Sequence, residues 1–199
     1  MPVRRAVIKQ ILPAIASQMI MVIYNLADTY FVGLLNSPAQ TAAVTVAAPS
    51  LVMLTAVSNL FGVGAASLIA RRLGAHRERD ATEASSVAFW CGLIASVLVS
   101  VLYFLLAKPV LTLCGADEST YPLTYAYAKW TVIFGAPFSI MSMLAANLVR
   151  AEGSAMIASL GLSLGAVINI FLDPVFVLPG ALGLGAEGAG AATAISNAV

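Results

Sequence analysis

Two carboxylates stand out because of where they lie. Asp28 and Asp173 each fall inside a run long and apolar enough to cross a bilayer, while the other seven of the nine acids lie in connecting segments or at the edges of such runs. A charged side chain deep in a membrane costs at least about 2.5 kcal/mol, so it is expected to face a partner or a water-filled cavity. Counting back from Asp173 in steps of four gives Asn169, Gly165 and Gly161, residues that share one slowly drifting helical face. That face offers two glycines for close approach by another helix, then an amide and a carboxylate. Pro174 follows directly; it lacks an N–H and frees the carbonyl of Ile170, one turn from the acid, as a further oxygen for a cation.

Asp28 sits in a comparable setting. At about 100° per residue, Gln10, Ser17, Gln18, Tyr24, Asn25, Asp28 and Thr29 fall within an arc of roughly 140°, and the rest of that circumference is mostly apolar. A polar stripe on a spanning helix is expected to face other helices or a cavity. Both acids lie roughly 8–10 Å inside the same membrane boundary, taking 1.5 Å per residue. Two carboxylates sharing a low-dielectric site cannot both stay charged without help: one takes up a proton, or a cation binds between them. Carboxylate and amide oxygens suit a hard cation, and the same acids can carry a proton.

The elements that must position these residues follow from composition. Of 199 residues, 60% are hydrophobic and 10% charged, against about 25% charged in soluble domains. The chain is expected to be an all-α polytopic membrane protein embedded in the lipid bilayer. Spans are predicted at roughly 10–35, 44–70, 85–107, 123–149 and 156–178. A sixth begins near 188 and reaches 199, too short for the ~20 residues needed to cross, so the sequence reads as a truncated piece. Prolines 13, 49, 137 and 174 interrupt four of these spans. The basic amino-terminal segment leads into an apolar run too long for a signal peptide and is read as a retained first span. Eight of the ten basic residues (Arg4, Arg5, Lys9, Arg71, Arg72, Arg77, Arg79, Arg150) lie on one side. The positive-inside rule makes that side, and the N-terminus, cytoplasmic, in a cell (inner) membrane.

Other features carry little chemistry. Cys91 and Cys114 have neither disulfide nor metal spacing, and His76 is a solvated loop residue. Gly62, Gly64, Gly188 and Gly190 belong to small-residue clusters suited to helix packing. Gly183, Gly185 and Gly188 spell G-x-G-x-x-G, which means dinucleotide binding only after a strand in a βαβ unit, and here it follows a membrane span. No catalytic motif is present, and no enzyme activity, cofactor or nucleic-acid partner is expected; the net charge of +1 by itself says nothing about partners.

Taken together, several segments resemble the multidrug and toxic compound extrusion (MATE) transporters. They are Tyr24-Asn25-Leu26-Ala27-Asp28-Thr29-Tyr30-Phe31-Val32-Gly33, Gly64-Ala65-Ala66-Ser67 through Arg72-Leu73-Gly74, Arg150-Ala151-Glu152-Gly153, Asn169-Ile170-Phe171-Leu172-Asp173-Pro174, and Gly188-Ala189-Gly190-Ala191-Ala192-Thr193. The resemblance runs the length of the chain. It implies most of the N-terminal six-helix lobe, its sixth span truncated, of a pseudosymmetric twelve-helix transporter. It also implies a C-terminal lobe of the same parent chain as partner, and export of organic cations or amphipathic drugs by alternating access in exchange for Na⁺ or H⁺. The cation or proton site it implies is Asp28, Asn169, Asp173 and Thr193, a possible Na⁺ site, with Tyr24, Asn25, Ile170 and Pro174 in support. Two other readings stand beside it. A lipid-linked oligosaccharide flippase of the same superfamily should line its cavity with basic residues, and none lies deep in these spans. An intramembrane aspartyl protease should carry Gly-x-Gly-Asp, whereas Asp173 sits in Phe-Leu-Asp-Pro.

Overall fold

Apolar runs in lipid have one economical solution, because every backbone amide must find its partner within its own segment. The computed structural model describes residues 3–199, with side chains at 7, 8 and 11–199, and contains seven α-helices and no strand among the described residues. They are α1 (Val3–Gly33), α2 (Pro38–Gly74), α3 (Glu78–Leu113), α4 (Tyr121–Ala128), α5 (Ala136–Ala151), α6 (Ala155–Val177) and α7 (Ala186–Ala198), with a π-helical segment, Lys129–Phe134, between α4 and α5. The side chains of Arg4, Arg5, Lys9 and Gln10, on which parts of the orientation and stripe arguments rest, lie outside the described residues.

Four helices are long and apolar enough to span a membrane, and the α4–α5 stretch makes a fifth if its two bent halves are one span. Turns between them use residues that tolerate a left-handed backbone, such as Gly115 (φ 103°) and Gly153 (φ 87°). Before α4, Asp117 accepts hydrogen bonds from the hydroxyls and amides of Thr120 and Ser119 at 2.7–3.1 Å. Those donors, the Thr120 hydroxyl first, hold its carboxyl down to about 2. Leu26, Leu60, Leu105 and Phe171 are exposed on the outer faces, as lipid-facing residues should be. Small and medium side chains fill the interior, with Leu54, Val132 and Ile140 in one cluster and Ile69, Leu144 and Leu148 in another.

The prolines behave differently from expectation. Helices α1, α2 and α6 run through Pro13, Pro49 and Pro174, and α3 runs on through Pro109 to Leu113, beyond the predicted end of span three. Only the span expected at 123–149 is broken: it bends by 50° at Gly135, between the π-helical segment and the Pro137-led α5. The reason is local. Pro137 cannot donate to the Ile133 carbonyl, and the Ser100 hydroxyl of α3 donates to that carbonyl instead. A side chain from a neighbouring helix thus restores the bond that the proline removed, which stabilises the bend.

Glycines act at specific approaches rather than as a general stripe. In α7, a Cβ on Gly188 would collide with the Phe176 carbonyl, and one on Gly190 would sit 2.8 Å from the Tyr127 carbonyl. Gly165 of α6 is similarly close to the Ser196 carbonyl, but Gly161, expected to receive a helix as well, has nothing within 4 Å. The packing of α7 against α4 and α6 therefore depends on missing side chains. Gly190→Leu should lower stability in thermal unfolding by about 1–3 kcal/mol through overpacking. Gly64→Ala, where nothing lies within 4 Å, should be neutral or gain up to about 1 kcal/mol in the same assay.

Candidate functional site

The site lies where α1 packs along α6 and α7 closes against both α6 and α4. Helix α6 supplies Asn169 and Asp173, one turn apart and both fully buried at 0% exposure. Helix α1 supplies Asp28, 7% exposed, within electrostatic reach of Asp173. Helix α7 supplies Thr193, also buried. Its first turn is set by Gln40 of α2, whose Oε1 accepts from the Ala186 amide at 2.9 Å. That arrangement requires Gly185, with φ of 61°, because a Cβ there would meet the Gln40 side chain.

Asn169 is the joint of the cluster. In the orientation that satisfies both ends of its amide, Nδ2 donates to Asp173 Oδ2 at 2.9 Å and the oxygen accepts from the Thr193 backbone N–H at 3.2 Å. The Thr193 hydroxyl lies 3.4 Å from the same end of the amide. One oxygen of each carboxylate, Asp28 Oδ1 and Asp173 Oδ1, is buried with no hydrogen-bond partner. Each of these orphaned acceptors carries a desolvation cost of about 1–3 kcal/mol or more, so the cluster keeps two open acceptor positions. Carboxylate and hydroxyl oxygens are of the type a hard cation such as Na⁺ takes, and the same carboxylates can carry a proton. No group of three or more His, Cys, Asp and Glu side chains placed to hold a metal ion occurs among the described residues.

The supporting residues divide. Tyr24, one turn before Asp28, is within electrostatic reach of both acids and lines a cavity of about 140 Å³ with Thr193. Ser139 and Asn197 line the same cavity and are bonded to each other at 2.9 Å. Ile170 and Pro174 are half-buried beside the acid on α6. Asn25 is not brought in: it is exposed, and its Nδ2 donates to the Met21 carbonyl of its own helix at 2.8 Å. Thr29 likewise turns back onto the Asn25 carbonyl. The roughly 140° stripe of α1 splits, because Ser17, Tyr24 and Asp28 cluster within about 40° of one another while Gln18, Asn25 and Thr29 lie about 60–100° round from Asp28. Helix α6 covers only the first of these arcs, so Gln18 stays exposed and Ser17 is buried against Ser159.

One residue escaped the sequence reading. Tyr127, fully buried at the end of α4, is within electrostatic reach of Asp28, Tyr24 and Asp173. A tyrosine in an apolar run next to two others gives little signal. The π-helical turn that follows it also shifts the helical register, so a regular projection of span four misplaces its faces.

A bundle of apolar helices with two acids buried between its spans defines a multi-pass membrane protein. The chain belongs to the MatE family, whose pattern matches residues 13–175. It is 31% identical over 196 residues to the multidrug export protein MepA of Staphylococcus aureus (strain MSSA476), covering 98% of this chain and 43% of that protein. Among solved structures it is similar to an outward-facing conformation of a multidrug resistance MATE family transporter of the MOP superfamily. The TM-score is 0.90 and the identity 30%, over 96% of this chain and 42% of that one. The same values relate it to a MOP superfamily transporter from Pyrococcus furiosus, described as having a binding pocket of reverse polarity that suggests a different function. The chain thus spans about two-fifths of the length of the relatives it matches.

Asn169→Ala removes the amide that donates to Asp173 Oδ2. It should lower stability by about 1–3 kcal/mol in thermal unfolding. Asn25→Ala, on the exposed face, should stay within about 0.5 kcal/mol of wild type.

Proposed function

We propose that this chain forms the first lobe of a twelve-helix exporter that drives organic cations and amphipathic drugs out of the cell in exchange for Na⁺ or H⁺. The observation that carries this reading is the pair of orphaned oxygens on Asp28 and Asp173, buried together on two helices of the bundle. An ion that neutralises the pair stabilises whichever conformation holds the two acids closest, and an ion shifts an equilibrium only by its differential affinity for the two states. Ion entry would draw α1 and α6 together through Asp28 and Asp173, with Asn169, Thr193, Tyr24 and Tyr127 as the surrounding shell. The cavity beside Tyr24 and Thr193 would then tighten against α2 and α5, expelling cargo. The relatives' names as multidrug transporters support the cargo class. The second lobe of the parent chain would complete the substrate path.

Topology supports the orientation. Arg71, Arg72, Arg77, Arg79 and Arg150 all lie at helix ends that an up-and-down order brings to one side, so we place that side, with the N-terminus, in the cytoplasm of a bacterial cell.

The test is efflux of a fluorescent organic cation from proteoliposomes holding the full-length parent chain under an imposed Na⁺ or H⁺ gradient. Asp173→Asn and Asp28→Asn should each cut gradient-driven efflux by at least about tenfold, equivalent to 1.4 kcal/mol, and the gradient that drives wild type names the ion. Undiminished coupled efflux in the Asp28→Asn, Asp173→Asn double variant would overturn the site. No efflux from wild type, together with movement of a lipid-linked oligosaccharide, would favour the flippase.

A further inference from the structure

A second polar cluster sits at the start of α7, away from the two acids. Glu187 Oε1 accepts a hydrogen bond from Trp130 Nε1 at 2.9 Å and lies 3.9 Å from Lys129 Nζ. The Lys129 ammonium is 5.4 Å from the centre of the Trp130 ring, which in turn packs on Phe134 at 5.5 Å. Trp130, Lys129 and Phe134 all belong to the π-helical segment, a geometry that is rare and sits on an irregular backbone. The cluster is therefore a bond between the one irregular turn of span four and the first turn of α7.

Both of these elements lead to the ion site. Three residues before Trp130 is Tyr127, and six residues after Glu187, about 9 Å along a helix, is Thr193. Between the cluster and the site the two backbones touch: a Cβ on Gly190 would lie 2.8 Å from the Tyr127 carbonyl and 3.4 Å from Trp130 Cβ. Backbone contact of this kind slides unless something fixes its register, since glycine offers no side chain to interlock. Gln40 of α2, Asn169 of α6 and Ser139 of α5 each bond to α7; against the π-helical turn itself the directional link is the Trp130–Glu187 bond, a donor on a rigid ring held to a carboxylate. Lys129 adds little, because it and Glu187 are about two-fifths exposed, at 40% and 38%, and exposed ion pairs contribute little.

We propose that Glu187 and Trp130 are positioning residues of the ion site. Their hydrogen bond locks α7 to the π-helical turn in the register that presents Thr193 and Tyr127 to Asp28 and Asp173. Losing it weakens ion binding without removing an ion ligand. This rests on the ion-site reading above.

Ion affinity is read from the rise in melting temperature of the full-length parent protein in nanodiscs, as sodium chloride replaces choline chloride and, separately, as pH is lowered. Glu187→Ala and Trp130→Phe should each weaken the apparent affinity for the stabilising ion by about three- to tenfold, less than a whole charged hydrogen bond is worth. The double variant should be no worse than either single one, because both remove the same bond. Glu187→Gln keeps an acceptor oxygen for the indole and should recover most of the affinity, and Lys129→Gln should stay within about twofold. Trp90 is the only other tryptophan of this chain and is exposed on α3. With it and any tryptophan elsewhere in the parent chain replaced by Phe, Trp130 emission should move as the ion binds, and should not move in Asp173→Asn. A folded Glu187→Ala with unchanged ion affinity, additive losses in the double variant, or Trp130 emission that stays still while the melting temperature responds would overturn the latch. Absence of any ion-dependent stabilisation in wild type would overturn the ion site itself, and the latch with it.

Discussion

The structure is organised by the need to hold two carboxylates inside an apolar bundle. In lipid neither acid has water to solvate it, so helices must close around them and supply the missing donors. Asn169 answers for Asp173, and its other end reaches the backbone of α7, so one amide ties the acid of α6 to the helix that carries Thr193. That satisfaction is incomplete: one oxygen on each acid is left bare. The proposed uptake of an ion or proton between the acids would satisfy both of these oxygens, which packing alone does not.

Helix packing around the acids is governed by a second constraint, that every backbone carbonyl needs a donor. Pro137 takes one away from Ile133, and Ser100 returns it from another helix. The outcome is a bent span whose π-helical turn carries Trp130 against Glu187. Small residues do the complementary work. Gly188 and Gly190 let α7 lie directly on backbone carbonyls of α6 and α4, which is how α7 brings Thr193 to a buried position. Deformation of span four and the missing side chains of α7 are two halves of one arrangement.

Membrane class, helix content and the two acids were legible in the sequence because they depend on local properties. Hydropathy sums along the chain, and a charge in an apolar run is conspicuous whatever surrounds it. The spacing of Asn169 and Asp173 placed both on one face because a regular helix carries them there. Three things were decided by tertiary structure. Asn25 belonged to the polar stripe by angle, yet faces outward because α6 is narrow enough to cover only the arc of Ser17, Tyr24 and Asp28. Tyr127 is buried within electrostatic reach of both acids because α4 packs on α7, a contact between helices distant along the chain. The fate of each proline was likewise set by its neighbours: three expected interruptions are absorbed by continuous helices, and the break falls where a hydroxyl from α3 was available to satisfy the freed carbonyl. The sequence determines which groups are costly to bury; only the packed bundle determines which of them are left unsatisfied, because satisfaction is a relation between helices distant along the chain.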